Sequence, residues 1–426
     1  MPKMKDSGIE WIGKIPENWK RDRIKPYFVF ISGSGFKDSL QGSEKGEYPV
    51  CKASDISQAG RALTKAANYI NKQQVISEGF KIIPSGSILF PKIGEAMKKN
   101  NRTLTTVDCC ADNNCQGLVP HRIDSVYTYY LFKCIDMSWF DNGGTIPCLN
   151  NNRLKNCGIP IPPILEQKKI GHFLDSKCSE IDALSADIQK EIETLEEYKK
   201  SVIFDTVCHG ISGTDGLIET SSDVWKQIPA DWELVDIKYL FEIVKRIAGK
   251  EGYDVLSVTQ KGLKIKDITS GDGQLADNYR GYQFVYPTDY VMNHMDLLTG
   301  WVDLSSVFGV TSPDYRVFRL IDKKNNCLEY YKYVMQCCYM NKIFYSLGQG
   351  VSNLGRWRLQ TSSFNNFKIP VPPTDEQYAI ADYLDNVVTE TDYIIEEKKE
   401  QLTTLEEYKK SIIYEYVTGK KEVPEL

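Results

Sequence analysis

The residues of this chain best equipped for chemistry are amides and cations set side by side in polar loops. Pro91-Lys-Ile-Gly-Glu-Ala-Met-Lys-Lys-Asn-Asn-Arg102 gathers Lys92, Lys98, Lys99 and Arg102 around Asn101. Asn113 and Asn114 follow closely, and Asn150-Asn-Asn-Arg153 ends the same stretch with Arg153. A second set lies far along the chain. Gly348-Gln-Gly-Val-Ser-Asn-Leu-Gly-Arg-Trp-Arg358 carries Gln349, Ser352, Asn353, Arg356 and Arg358, and Arg316 closes Gly309-Val-Thr-Ser-Pro-Asp-Tyr-Arg316. Lys and Arg neutralise phosphates, while Asn and Gln match adenine edges and Arg matches guanine edges. Glycine lets the backbone come close to a groove. One such loop alone is ordinary solvated surface; the recurrence in both halves points to a nucleic acid.

Residues arranged for catalysis are missing from the sequence. There is no G-x-x-x-x-G-K-[ST] loop for a nucleotide and no G-x-S-x-G nucleophile turn. The four histidines, His121, His172, His209 and His294, are isolated, and no Asn-Pro-Pro-aromatic or Asp-Pro-Pro-Tyr tetrapeptide of an amino-methyltransferase occurs. Glu166-Gln-Lys168 and Glu396-Glu-Lys398 match the tail of a nuclease E-x-K signature, but neither recurs in the other half. The expectation is a chain that binds without catalysing. The 12 cysteines contain no C-x-x-C, and the spacing of Cys109, Cys110, Cys115 and His121 fits no standard zinc module. They read as small apolar residues in a reducing cytoplasm. No apolar run is long enough to span a membrane, and Met1-Pro-Lys-Met-Lys-Asp6 has no secretory apolar core.

The elements that must position these loops are visible as a duplication. Ile159-Pro-Ile-Pro-Pro163, Glu166-Gln167, Leu174-Asp175 and Thr194-Leu-Glu-Glu-Tyr-Lys-Lys-Ser201 return at matching offsets. The second copy is Ile369-Pro-Val-Pro-Pro373, Glu376-Gln377, Leu384-Asp385 and Thr404-Leu-Glu-Glu-Tyr-Lys-Lys-Ser411. Ile15-Pro-Glu-Asn-Trp19 is likewise answered by Ile228-Pro-Ala-Asp-Trp232. The period is too long for a solenoid unit. Leu174, Ile181, Ile188, Leu195 and Val202 form a strict heptad, supported by Leu184 and Tyr198 three residues on and by Cys178 and Ile192 four residues on. A helix of about 40 residues, roughly 60 Å, follows Pro162-Pro163 and ends near Gly210. The second helix starts at a Thr374-x-x-Gln377 capping box and ends at Gly419, with Thr391 and Lys398 interrupting its seam of Ile380, Leu384, Val387, Val388, Ile394, Ile395, Leu402, Leu405 and Ile412. Two such helices most simply pair with each other, antiparallel if the duplication carries a pseudo-two-fold. The segments between them carry short apolar runs, Ser87-Ile-Leu-Phe90 and Tyr315-Arg-Val-Phe-Arg-Leu320, and a helical stretch at Tyr330-Tyr-Lys-Tyr-Val-Met-Gln336, as expected of compact α+β domains.

Charge follows the same division. Residues 1–158 hold 22 Lys+Arg against 15 Asp+Glu, a net of +7, and residues 227–368 hold 17 against 15, a net of +2. The repeated segments are acidic: 159–207 hold 6 against 10, a net of −4, and 369–426 hold 6 against 14, a net of −8. The variable segments are therefore the ones suited to a polyanion.

With the repeat, the Pro-Pro-x-x-Glu-Gln helix start and the Thr-Leu-Glu-Glu-Tyr-Lys-Lys block in hand, the chain resembles the specificity subunit of a type I restriction–modification enzyme over essentially its full length. Ser7-Gly-Ile-Glu-Trp-Ile-Gly13 and Asn293-His-Met-Asp-Leu297 add to the likeness. The resemblance implies an α+β chain with a pseudo-two-fold internal duplication. Two α/β target-recognition domains, 1–158 and 211–368, would each read half of a bipartite double-stranded DNA site. Spacer helices in 159–210 and 369–426 would pair as an antiparallel coiled coil, set the gap and dock two methyltransferase subunits. Those subunits would bind S-adenosylmethionine and flip and methylate adenine. Two restriction–translocase subunits would use ATP and Mg²⁺, leaving this chain cytoplasmic, non-catalytic and without a cofactor of its own. A specificity subunit for a fused methyltransferase–nuclease and a coiled-coil scaffold without a DNA role remain as alternatives.

Overall fold

The computed structural model describes residues 3–213, 216–268, 276, 278–350 and 357–424. It divides into two compact units, Met1–Ile188 with Glu400–Leu426, and Gln189–Lys399. The division therefore falls inside both long helices and outside the variable segments. In the first unit the strands used below are β1 (Lys20–Arg23), β2 (Phe28–Ser32), β3 (Ile88–Pro91), β4 (Thr103–Thr105) and β5 (Cys115–Pro120). Helices α1 (Ser125–Lys133) and α2 (Asn151–Asn156), strand β6 (Gly158–Ile161) and the long helix α3 (Ile164–His209) follow. The second unit carries β7 (Glu233–Asp236), β8 (Phe241–Val244), β9 (Tyr290–Met292), β10 (Val302–Leu304) and β11 (Arg316–Leu320). Then come α4 (Leu328–Met340), α5 (Thr361–Asn365), β12 (Lys368–Val371) and the long helix α6 (Thr374–Val417).

The two units share one framework. The first sheet runs β2-β5-β3-β4, extended by Ala62–Leu63, and the second runs β8-β11-β9-β10. Registers match as well: Gln116 stands opposite Phe90, as Arg316 stands opposite Met292. The repeated Ile-Pro strands lie in two-stranded pairs, β6 with β1 and β12 with β7, where a missing N–H is tolerated. Each sheet buries a large apolar core against its helix and a smaller one on its other face. Trp19, Phe90, Leu118, Tyr127 and Phe132 lie in the large core of the first unit, and Trp225, Trp232, Phe318, Tyr330 and Phe344 in that of the second.

The helices begin directly after Pro163 and Pro373 and run for 46 and 44 residues. Within each unit their segments pair antiparallel. Lys409 meets Asp182 and Phe173 packs on Tyr416 in the first unit, while Lys199 meets Asp392 and Lys398 meets Glu191 in the second. The heptad positions Leu174, Ile181 and Ile188 are buried, and so are Cys178 and Ile192 four residues on. Leu184 and Tyr198, three residues on, are half exposed at 49% and 51%, so the seam leans to one side. Of the two breaks in the second seam, Thr391 is buried with its hydroxyl donated to Val387 O, and Lys398 carries the ion pair to Glu191.

The repeated residues turn out to be fasteners. Gln167 accepts the Asp124 N–H (2.8 Å) and donates to Pro162 O (2.8 Å); Gln377 accepts the Cys327 N–H (2.9 Å) and donates to Pro372 O (3.0 Å). Gln377 is thus turned to the neighbouring helix α4 and makes no capping box with Thr374, whose hydroxyl is donated to Asn325 O. Tyr130 donates to Asp175 and Tyr333 to Asp385. Tyr127 donates to Pro160 O (3.1 Å), as Tyr330 does to Pro370 O (3.0 Å). Gly210 and Gly419 end the helices at φ +75° and +70°, where a Cβ would strike Glu376 and Trp232 in one case and Pro16 and Trp19 in the other. Only glycine satisfies both demands.

Candidate nucleic-acid interface

In the first unit, the end of β3 and the start of the antiparallel β5 lie side by side and create a polar edge. The Lys92 N–H donates to Asn114 O (2.7 Å), which ties the exit of β3 to the turn before β5. In that turn Asn114 donates through both its backbone and its amide to Asp112 (3.1 and 3.3 Å), leaving Asn113 and Asn114 exposed. The chain returns to the same edge through Leu149, whose N–H donates to Lys92 O (2.9 Å). Asn150 then caps α2 by accepting the Asn152 and Arg153 N–H groups (both 3.1 Å). Arg153 is thereby held at the surface, with its guanidinium donating to Asp141 O (3.1 Å). The Asp141 carboxyl is lowered below its ordinary pKa by the Cys148 N–H first, and Lys98 contributes. Lys98 itself pairs with Glu95 (3.1 Å), and Lys99 is exposed beside it.

The second unit repeats the geometry with other side chains. Strand β9 leads out into Asn293-His294, and the Leu359 N–H donates to His294 O (3.0 Å) as Leu149 does to Lys92 O. Gln349 and Arg358 form a short ladder (3.0 and 3.1 Å), both exposed. His294 is only 7% exposed, and its Nδ1 has no hydrogen-bond partner among the described residues. Burial, then the Arg316 and Arg358 guanidinium groups, push its pKa down to about 3, so the ring is neutral.

The structure therefore sorts the sequence candidates. Lys92, Asn113, Asn114 and Arg153 converge on one edge with Lys98 near them, and Gln349 and Arg358 share the equivalent edge. Asn101 turns away, its amide donating to Ser57 (3.1 Å). Arg102 corrects the expectation of a surface cation: at 1% exposure it donates to Ile135 O (2.9 Å) and to Asn100, and burial pushes its pKa down to about 10. Arg316 is corrected likewise, at 4% exposure with Leu359 O (3.1 Å) and Thr361 (3.3 Å) as acceptors. Counting charge along a sequence cannot separate a guanidinium on the surface from one inserted among carbonyls. Ser352, Asn353 and Arg356 lie outside the described residues. Gln116 and His294 were not among the candidates, because only the strand register reveals that they sit beside these edges, and Asn151 was legible only as part of its amide-rich loop.

Elsewhere the chemistry is quiet. The cysteines are free thiols, and burial pushes Cys110 and Cys134 up to about 12, which keeps them protonated. Among the described residues no group of three or more His, Cys, Asp or Glu could hold a metal ion, and no helix is long and apolar enough to cross a membrane.

Comparison with known proteins agrees with this architecture. The model of the type I restriction modification DNA specificity domain matches residues 16–194 and 229–404, and the chain belongs to that family as a specificity subunit with two target-recognition domains. It is similar to the type I restriction enzyme MjaVIII specificity subunit of Methanocaldococcus jannaschii, 25% identical over 97% of this chain and 95% of the relative. The EcoR124I/EcoR124II specificity subunit of Escherichia coli is 23% identical over 47% of this chain and 49% of that one. The fold resembles a chain from a study of complex assembly and conformational transition of the type I R-M system, with a TM-score of 0.60 and 14% identity over 96% of this chain and 100% of that one. The HsdS subunit from Thermoanaerobacter tengcongensis gives a TM-score of 0.50 at 14% identity over 96% of this chain and 98% of that one.

Proposed function

We propose that each target-recognition domain reads one half of a bipartite double-stranded DNA site through the edge where β3 ends and β5 begins, or where β9 ends and β11 begins. The observation that carries this is one framework displaying two different edges. Lys92, Asn113, Asn114 and Arg153 mark the first, and Gln349 and Arg358 the second. Identical scaffolds with unlike polar rims suit a protein that reads two different sequences. The boundaries 1–158, 159–210, 211–368 and 369–426 describe the same reading as recognition domain, spacer, recognition domain and spacer.

The helices supply the spacer and the docking surface. Glu196, Glu197, Tyr198 and Lys200 are repeated as Glu406, Glu407, Tyr408 and Lys410, and all eight are exposed. An exposed surface that occurs twice fits two copies of one partner. That partner is a methyltransferase subunit, joined by two restriction–translocase subunits, in the cytoplasm. S-adenosylmethionine, ATP and Mg²⁺ then belong to the partners, and this chain contributes recognition without catalysis. Long-read methylation mapping of genomic DNA with the gene intact and deleted tests the reading. A bipartite methyl-adenine motif that disappears on deletion supports it, and an unchanged methylation pattern in cells that express the whole complex counts against it.

A further inference from the structure

The interior of each sheet holds one long polar side chain that reaches out of the sheet to the start of a helix. Gln116 in β5 is fully buried, and Arg316 occupies the equivalent place in β11. Each crosses to the same point of its own unit. Gln116 Nε2 donates to Asn151 Oδ1 (2.8 Å) at the first residue of α2; Arg316 Nη2 donates to Thr361 Oγ1 (3.3 Å) at the first residue of α5 and to Leu359 O (3.1 Å). The Arg316 guanidinium also lies over the Phe364 ring, 4.5 Å from its centroid.

We propose that Gln116 and Arg316 are positioning residues for sequence recognition, each clasping the reading loop of its own domain; this rests on the proposed reading of the two edges. Three arguments support the assignment. A buried amide or guanidinium destabilises a sheet core unless its bonds are satisfied, so a purely structural site is served as well by an apolar residue. Both units nevertheless keep a polar group at this position, and the two groups differ in reach. The clasp also closes on the residues that carry the surface groups. Asn151 lies two residues before Arg153, and the Leu359 carbonyl follows Arg358 directly. Finally, a second bond holds the same junction in each unit, from the Leu149 N–H to Lys92 O and from the Leu359 N–H to His294 O. The strand exit and the loop end are thereby locked at two points, and the side-chain clasp sets how far the loop stands from the sheet.

The test uses the complex of this chain with its methyltransferase subunits and a library of duplexes randomised over both half-sites. Gln116→Leu and Asn151→Ala are expected to lower discrimination in the first half-site about 10-fold, the scale of one lost base contact, and to leave the second unchanged. Arg316→Lys and Thr361→Val do the reverse, and the salt dependence of overall affinity stays as in the wild type. Asn151→Ala and Thr361→Val alter half-buried or exposed helix starts, so they report on the clasp where a sheet substitution fails to fold. Unchanged motifs in folded variants overturn the clasp and leave the reading of the edges intact. Equal loss in both half-sites at unchanged thermal stability also overturns it. A wild-type complex that selects no sequence overturns the reading and the clasp together.

Discussion

His294 shows how the burial of one side chain ties the stability of the second unit to pH. In the unfolded chain it titrates near 6.5, whereas in the fold burial and the two guanidinium groups push it down to about 3. Between those values the unfolded chain binds a proton that the folded chain does not. The neutral ring's contribution is therefore fully present above about pH 6.5 and is lost as pH falls toward 3. The slope of unfolding free energy against pH in this window should include up to ~1.4 kcal/mol per pH unit from this residue. Denaturation at a series of pH values compares the chain with its His294→Gln variant; equal slopes would remove His294 as the cause. Arg358 acts on the outside of the same junction. On the proposed reading, Arg358→Ala should weaken selection at the second half-site alone, by roughly 10-fold at one base position, as read by methylation mapping. Amides and cations in loops were legible as a class of residue. Which ones stay at the surface was not, since Arg102 and Arg316 find backbone carbonyls contributed by residues 33 and 43 positions away.

At the scale of elements, the long helices were readable because their signals are local: proline pairs before, glycines after and a seven-residue apolar period between. The function of the repeated residues was not readable, because their partners lie elsewhere in the chain. Gln377 looked like half of a capping box, yet it holds the first turn of α4 through the Cys327 N–H. The energetic consequence is specific. Gln377→Ala leaves that buried N–H and the Pro372 carbonyl unsatisfied and should cost about 1–3 kcal/mol. Gln167→Ala removes the equivalent bonds to Asp124 and Pro162 and should cost a similar amount in the first unit. Urea unfolding of each single variant beside the wild-type chain measures the two losses. A loss below about 0.5 kcal/mol at both sites would mean that water replaces the glutamine and that the repeat records something other than docking.

For the whole molecule, the duplication makes geometry the carrier of specificity. On the proposed reading, the recognition domains choose the bases and the paired helices choose the number of base pairs between them. One heptad adds seven residues, about 10.5 Å of helix, or roughly three base pairs of duplex at 3.4 Å each. Adding a heptad to α3 and a matching one to α6 keeps the antiparallel partners Lys199 and Asp392, and Lys409 and Asp182, within their own units. Both reading edges then stay as they are. Methylation mapping should accordingly return the same two half-sites with the gap widened by about three base pairs. A heptad in one helix alone shifts the seam against its partner, exposes Ile181 or Ile395 and should destabilise the chain without defining a new gap. If the double insertion instead changed the bases of either half-site, the helices would be shaping the reading edges themselves, and the separation of ruler from reader would fail.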